Sequence, residues 1–132
     1  MKNIIQGIKN LIAYFNLVWN DRDFDYGFTL EFLKFKLEKQ RDYFKKSQIT
    51  EDNGEIEQIE EVIVLLDRML EGYYETECEL FECKDYLTVE DIEKLNTDNR
   101  QMTDLTYRIL AQEKNDLEVF NKLSKNIKGW WD

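Results

Sequence analysis

Three carboxylates at alternate positions are the first candidates for chemistry in this sequence: Asp21, Asp23 and Asp25, in the run Asp21-Arg22-Asp23-Phe24-Asp25-Tyr26-Gly27. A calcium loop opens this way, with acids at its first, third and fifth positions, then a glycine and, six residues later, a bidentate glutamate. Here Tyr26 stands where the glycine belongs and Gly27 comes one residue late; Phe32 holds the glutamate's place and Glu31 comes one early. The run therefore reads as a helix cap, in which Asp23 or Asp25 accepts the first backbone N–H groups of a following helix and complements its dipole. No metal is expected. Cys78 and Cys83 have four residues between them, and the chain has no histidine. Zinc ligation and histidine-dependent nucleophilic catalysis thus lack their parts, and the thiols read as reduced, small apolar side chains. Gly7, Gly27, Gly54, Gly72 and Gly129 are isolated, so no glycine-rich phosphate loop is present. Carboxylate pairs abound, but none has a local signature of general acid–base work. The expectation is a non-enzymatic protein with no cofactor.

Charge is the distinctive feature. The 132 residues carry 28 acids and 18 bases, a net charge of −10. Residues 51–93 hold 16 of those acids against only Arg68 and Lys84, a net of −14, which leaves +4 for the rest. Residues 34–46 carry Lys34, Lys36, Lys39, Arg41, Lys45 and Lys46 against Glu38 and Asp42. One account is a set of solvated faces, with the basic stretch neutralising part of the acidic one within the fold. The other is a negative surface that steers a basic partner. Carboxylates along a helix can stand as phosphates stand along a nucleic-acid strand and occupy the groove of a nucleic-acid enzyme. On that account Glu57, Glu60, Glu61, Glu71 and Glu75 form the partner-binding face. Direct binding to nucleic acid is disfavoured by the net charge, the basic second helix being the one place for it.

The elements that must position these groups are helices. Ile4, Ile5, Ile8, Leu11, Ile12, Phe15, Val18 and Trp19 recur at three- and four-residue intervals, which predicts a helix over 3–19 with one apolar stripe turned to the core. With only Lys2 and Lys9 on its polar side, that helix is not expected to lie on a membrane. A second helix over 28–46 carries Leu30, Leu33, Leu37 and Phe44 on one face and Phe28, Phe32 and Phe35 beside them. After the turn signal Asn53-Gly54, a third helix over 55–74 follows Ile56, Ile59, Val62, Ile63, Leu66, Met69, Leu70 and Tyr73. A short helix is expected near 78–86. Thr88 and Asp91 then form a capping-box-like start to a fourth long helix carrying Ile92, Leu95, Met102, Leu105, Ile109 and Leu110. A break near 114–116 separates it from a last helix with Leu117, Phe120, Leu123, Ile127 and Trp130. With no proline and few glycines, an all-β fold has too few turn-forming residues. The prediction is an all-α, compact bundle of four to six helices, one domain over 1–132. No run of 18 apolar residues occurs, so no transmembrane helix is expected.

Three stretches carry a resemblance: the Asp21–Tyr26 turn leading into Leu30-Glu31-Phe32-Leu33-Lys34-Phe35-Lys36-Leu37, then Leu65-Leu66-Asp67-Arg68, then Asn126-Ile127-Lys128-Gly129-Trp130-Trp131-Asp132. Together they resemble a group of small proteins encoded by tailed bacteriophages. The resemblance covers roughly a third of the chain and leaves 75–99 without a counterpart. It implies a phage origin and action in the host cytoplasm, and supplies no catalytic residue. The same stretches suggest a structural hub of Arg22, Asp25, Asp67, Arg68, Trp130 and Trp131. In it the two tryptophans close the bundle and the Asp132 carboxylates pair with Arg22 or Arg68, while Arg22 could otherwise meet Asp67. The alternative for the tryptophans is an exposed anchor for a partner. The functional expectation is an interaction protein that binds a host or phage protein, in its sharper form an acidic decoy for a basic nucleic-acid-binding protein of host defence. The alternatives are an assembly component that forms a homo-oligomer through apolar residues of the first two helices, and a nucleic-acid accessory using the second.

Overall fold

Helices account for nearly all of the described chain. The computed structural model describes residues 2–21, 26–47, 54–96 and 103–131, without the side chains of Tyr26, Leu95, Asn96 and Trp131. Among these residues there are seven α-helices: α1 (Lys2–Asn20), α2 (Tyr26–Ser47), α3 (Glu55–Glu71), α4 (Tyr73–Thr76), α5 (Leu80–Tyr86), α6 (Val89–Asn96) and α7 (Asp104–Asn126). A 3₁₀ turn over Ile127–Trp131 follows. No strand occurs among the described residues, and the fold is an all-α bundle.

The main core lies where α3 packs between α2 and α7. Ile59, Val62, Ile63 and Leu66 recur on one face of α3, as a helix of 3.6 residues per turn requires, and Leu65 widens that face. They meet Leu30 and Leu37 of α2 and Val119 and Leu123 of α7. Leu33 and Phe44 pack at its edge. Trp130, held by the 3₁₀ turn, enters the same core with 1% of its surface exposed. A second cluster joins α4, α5 and the middle of α7 through Tyr74, Cys78, Cys83, Leu87 and Ala111.

Several boundaries differ from those the periodicity predicts. The third helix stops at Glu71 because Gly72 takes the left-handed conformation (φ +62°) and turns its N–H to the carbonyls of Arg68 and Met69, the usual way an α-helix closes. Tyr73 and Tyr74 belong to the single turn α4. The expected break near 114–116 does not occur; α7 runs through it, since its polar residues there are held by other elements. The predicted fourth helix is two: α6 ends at Asn96, and α7 starts from Thr103, whose Oγ1 accepts the Thr106 N–H at 3.3 Å. Met102 and the linking residues lie outside the described ones, as do Arg22, Asp23, Asp25 and Asp132.

The largest correction concerns α1. Its stripe was expected in the core, yet no residue of α1 is buried. Ile4, Ile5, Ile8, Leu11, Ile12, Phe15, Val18 and Trp19 are each 52–73% exposed. The half-buried side is that of Gly7, Tyr14 and Leu17. There Tyr14 meets Phe35 of α2 edge-on, centroids 4.8 Å apart, and Lys39 Nζ stands 5.0 Å over the Tyr14 ring. At 100° per residue that side points roughly 120° away from the apolar stripe. The core of α2, α3 and α7 is complete without α1, so α1 adds a face rather than filling one.

Candidate functional site

The acidic residues singled out from sequence fall on the outer side of α3 and on α4. Glu57, Glu60, Glu61 and Val64 of α3 line an open groove whose other wall is Glu118 and Lys122 of α7. Helix periodicity brings the three acids to one side, opposite the buried face. They do not act as one free field. Lys45 of α2 reaches Glu60 at 2.8 Å and Lys122 of α7 reaches Glu61 at 3.0 Å. The Lys45 ammonium holds the Glu60 carboxyl below its ordinary range. Glu71, at the end of α3, and Glu75, on α4, are exposed and make no ion pair among the described residues.

Four of the six basic residues of α2 have acidic or aromatic partners, while Lys36 and Lys46 are exposed. Lys34 pairs with Asp67 of α3 and with Glu38, and its hydrogen bond to Asp67 raises the ammonium above its ordinary 10.5. Arg41 pairs with Asp42, and Lys39 sits over Tyr14 and Phe35. Asp67 is therefore the partner of Lys34. Arg68 donates from Nη1 to the Tyr74 hydroxyl at 3.0 Å and lies 5.0 Å from the Tyr73 ring centre. Trp130 donates from Nε1 to Gln58 Oε1 at 2.9 Å, so its one polar atom is satisfied in the core.

Polar cross-links from α7 are what sequence reasoning missed. Ala111, Asn115, Val119 and Leu123 recur every four residues and are all buried. That row was the available signal: Asn115 sits in it as a core residue does. Its Nδ2 donates to the Leu65 carbonyl at 3.0 Å. One turn earlier, Gln112 Oε1 accepts the Tyr74 N–H at 3.0 Å and Nε2 donates to the Arg68 carbonyl at 3.2 Å. Gln112 thus bridges the Gly72 turn, accepting the first-turn Tyr74 N–H of α4 and adding a second donor to the Arg68 carbonyl that the Gly72 N–H also meets. Arg108 caps the Cys78 carbonyl at 2.7 Å and Lys114 the Tyr86 carbonyl at 2.7 Å. These bonds fix α4 and α5 to α7.

Cys78 and Cys83 are both buried, Sγ atoms 2.7 Å apart, with Cys83 donating to the Tyr74 carbonyl at 3.4 Å. Burial first, then the hydrogen bond to Cys83, pushes the Cys78 thiol up to about 12, so it is protonated at neutral pH and a poor nucleophile. Beside it, Tyr74 stacks on Tyr86 at 4.8 Å. Burial, then Glu118, raises the Tyr86 hydroxyl above its ordinary 10.0. Among the described residues no three His, Cys, Asp or Glu side chains come together as a metal site would need. No described helix is long and apolar enough to cross a membrane.

The remaining candidate is the outward stripe of α1. Ile4, Ile8, Leu11, Phe15 and Val18 alternate by four and three residues, with Ile5, Ile12 and Trp19 alongside at sevens. Phe15 and Trp19 stack on one another with centroids 5.6 Å apart. Leaving such a face in water forgoes about 25 cal/mol per Å² of apolar surface, which makes the stripe the candidate for an interaction surface. No protein-family model matches this sequence, and neither a curated protein nor a solved structure matches it significantly.

Proposed function

We propose that this is a non-enzymatic interaction protein in which α2, α3 and α7 form a scaffold and α1 presents the contact face. The observation that carries the reading is the inversion of α1, whose Gly7, Tyr14 and Leu17 side meets α2 while eight apolar side chains stay more than half exposed. A helix-presenting face of this kind docks into an apolar groove or onto another helix. This is the assembly class of function, acting through apolar residues of α1.

A comparison of two leucines tests it. Leu66 is fully buried, so Leu66→Ala should lower stability by about 2–5 kcal/mol. Leu11→Glu should leave the helical spectrum intact and, at high dilution, change the unfolding free energy by no more than an ordinary surface substitution does, about 0.5 kcal/mol. If Leu11→Glu destabilises as Leu66→Ala does, the stripe is internal and the reading is wrong.

A second reading has its own observation: Glu57, Glu71, Glu75, Glu77 and Glu79 are exposed with no ion pair among the described residues. They favour a basic partner, such as a nucleic-acid-binding protein of a bacterial host, held by salt-sensitive contacts. Pairing of Lys34, Lys39 and Lys45 with neighbouring elements leaves Lys36 and Lys46 as exposed bases of α2, which disfavours a nucleic-acid surface there.

A further inference from the structure

We propose that the occupant of the α1 face is a second copy of this chain, with α1 packing against α1 across a twofold axis. This rests on the reading of α1 as the contact face and names what covers it.

The spacing selects a helix as the occupant. Ile4, Ile8, Leu11, Phe15 and Val18 follow a four-three-four-three alternation, the 3.5-residue seam along which two helices interlock side chains. A longer groove-forming partner is not required, because the seam supplies both knobs and holes when it meets itself. Isologous pairing of one patch with its own copy is also the commonest way soluble chains associate.

Size gives the second argument. Eight side chains at 52–73% exposure amount to roughly 1,000 Å² of accessible surface. That exceeds the largest apolar patch of an ordinary monomer, about 300–600 Å²; one helix laid along the seam covers part of it, so each partner buries less than the ~800 Å² of a standard interface. Pairing two copies removes apolar surface of both stripes from water and so favours association.

Charge disfavours two competitors, a basic partner and an anionic bilayer. Lys2–Asn20 contains no acid and only Lys2 and Lys9 as bases, in a chain of net charge −10. A basic partner finds no carboxylate on this helix to pair with. An anionic bilayer repels the chain as a whole, and two lysines are a small counterweight. A second copy brings an apolar, acid-free helix to the contact, while the carboxylate-rich 51–93 region sits on other elements. Repulsion between those regions is screened over about 8 Å at physiological salt.

Sedimentation velocity on the full chain, over a dilution series and at low and high salt, tests this. A species of twice the 16.0 kDa chain that persists at high salt is expected. Leu11→Glu should weaken it at least about 100-fold with the helical spectrum unchanged, because the twofold counts each substitution twice. Trp19 emission, isolated by subtracting the Trp19→Phe variant, should shift to the blue on association. A chain that stays monomeric with Trp19 solvent-like overturns the second copy but leaves α1 as a contact face. Zwitterionic vesicles added to that monomer, if they shift Trp19 to the blue, make a bilayer the occupant instead. A monomer with Trp19 already shielded overturns both readings. A dimer indifferent to Leu11→Glu places the interface elsewhere and also overturns the proposal.

Discussion

Asp91 shows how one side chain can tie three elements. Its Oδ2 accepts the Thr88 N–H at 2.8 Å and the Lys114 ammonium at 3.1 Å, while Thr88 Oγ1 accepts the Asp91 N–H at 3.2 Å. The reciprocal pair is a capping box with Asp in the place usually held by Glu. Lys114 extends it to α7 and, through the Tyr86 carbonyl, to the end of α5. The Thr88 backbone N–H, ahead of Lys114, holds the Asp91 carboxyl below its ordinary 3.8. A lowered folded-state value means the unfolded chain takes up the proton first. The stabilisation is therefore fully present above pH 3.8 and is lost as pH falls below that through the folded value. Asp91→Asn should cost about 1 kcal/mol near neutrality. The gap between variant and parent should narrow on titration to lower pH. A gap that stays constant below pH 3.8 would show that the charge contributes nothing.

At the scale of elements, helix existence was legible and helix ends were not. The stripes of α2 and α3 were read from spacing alone, because both bury the face their apolar residues mark. The end of α3 was missed because Tyr73 and Tyr74 continue the apolar pattern past Gly72, and only the backbone shows that Gly72 has turned left-handed. The continuity of α7 was missed because Lys114, Asn115 and Asp116 look like a loop. Their tertiary partners, the Tyr86 and Leu65 carbonyls for Lys114 and Asn115, are 28 and 50 residues away in sequence. The α1 stripe was legible as a stripe; its direction was not, since periodicity marks an apolar face without naming its neighbour. The acidic residues were legible as candidates, but the pairing of Glu60 and Glu61 depends on which helices become neighbours. Gly72 offers the test at this scale. A Cβ there would have open space around it, so the cost of Gly72→Ala is conformational alone, about 1 kcal/mol for a side chain at φ +62°. Unchanged thermal stability in that variant would mean α3 closes by another route.

For the whole molecule, the question is whether the 28 acids cost stability or are balanced by pairing. The described cross-element pairs Lys34–Asp67, Lys45–Glu60, Lys114–Asp91 and Lys122–Glu61 are partly exposed, and such pairs contribute about 0–1 kcal/mol each. Against them stands a net −14 over residues 51–93, where like charges crowd within a Debye length of one another. Repulsion should win at low ionic strength. Raising salt from about 0.01 M to about 0.15 M, which shortens the screening length from ~30 to ~8 Å, should then raise the melting temperature. Two reversals locate the effect. Glu71→Lys replaces an exposed acid at the negative end of the α3 dipole and should stabilise at low salt while flattening the salt dependence. Glu60→Lys faces Lys45 instead and should destabilise. If salt lowers the melting temperature of the parent chain, the internal pairs outweigh the repulsion. If Glu71→Lys behaves like Glu60→Lys, Glu71 is stabilised by its surroundings and is not available to a basic partner. Stabilisation by Glu71→Lys would instead show that the acid costs the fold energy and that its carboxylate is available to a basic partner.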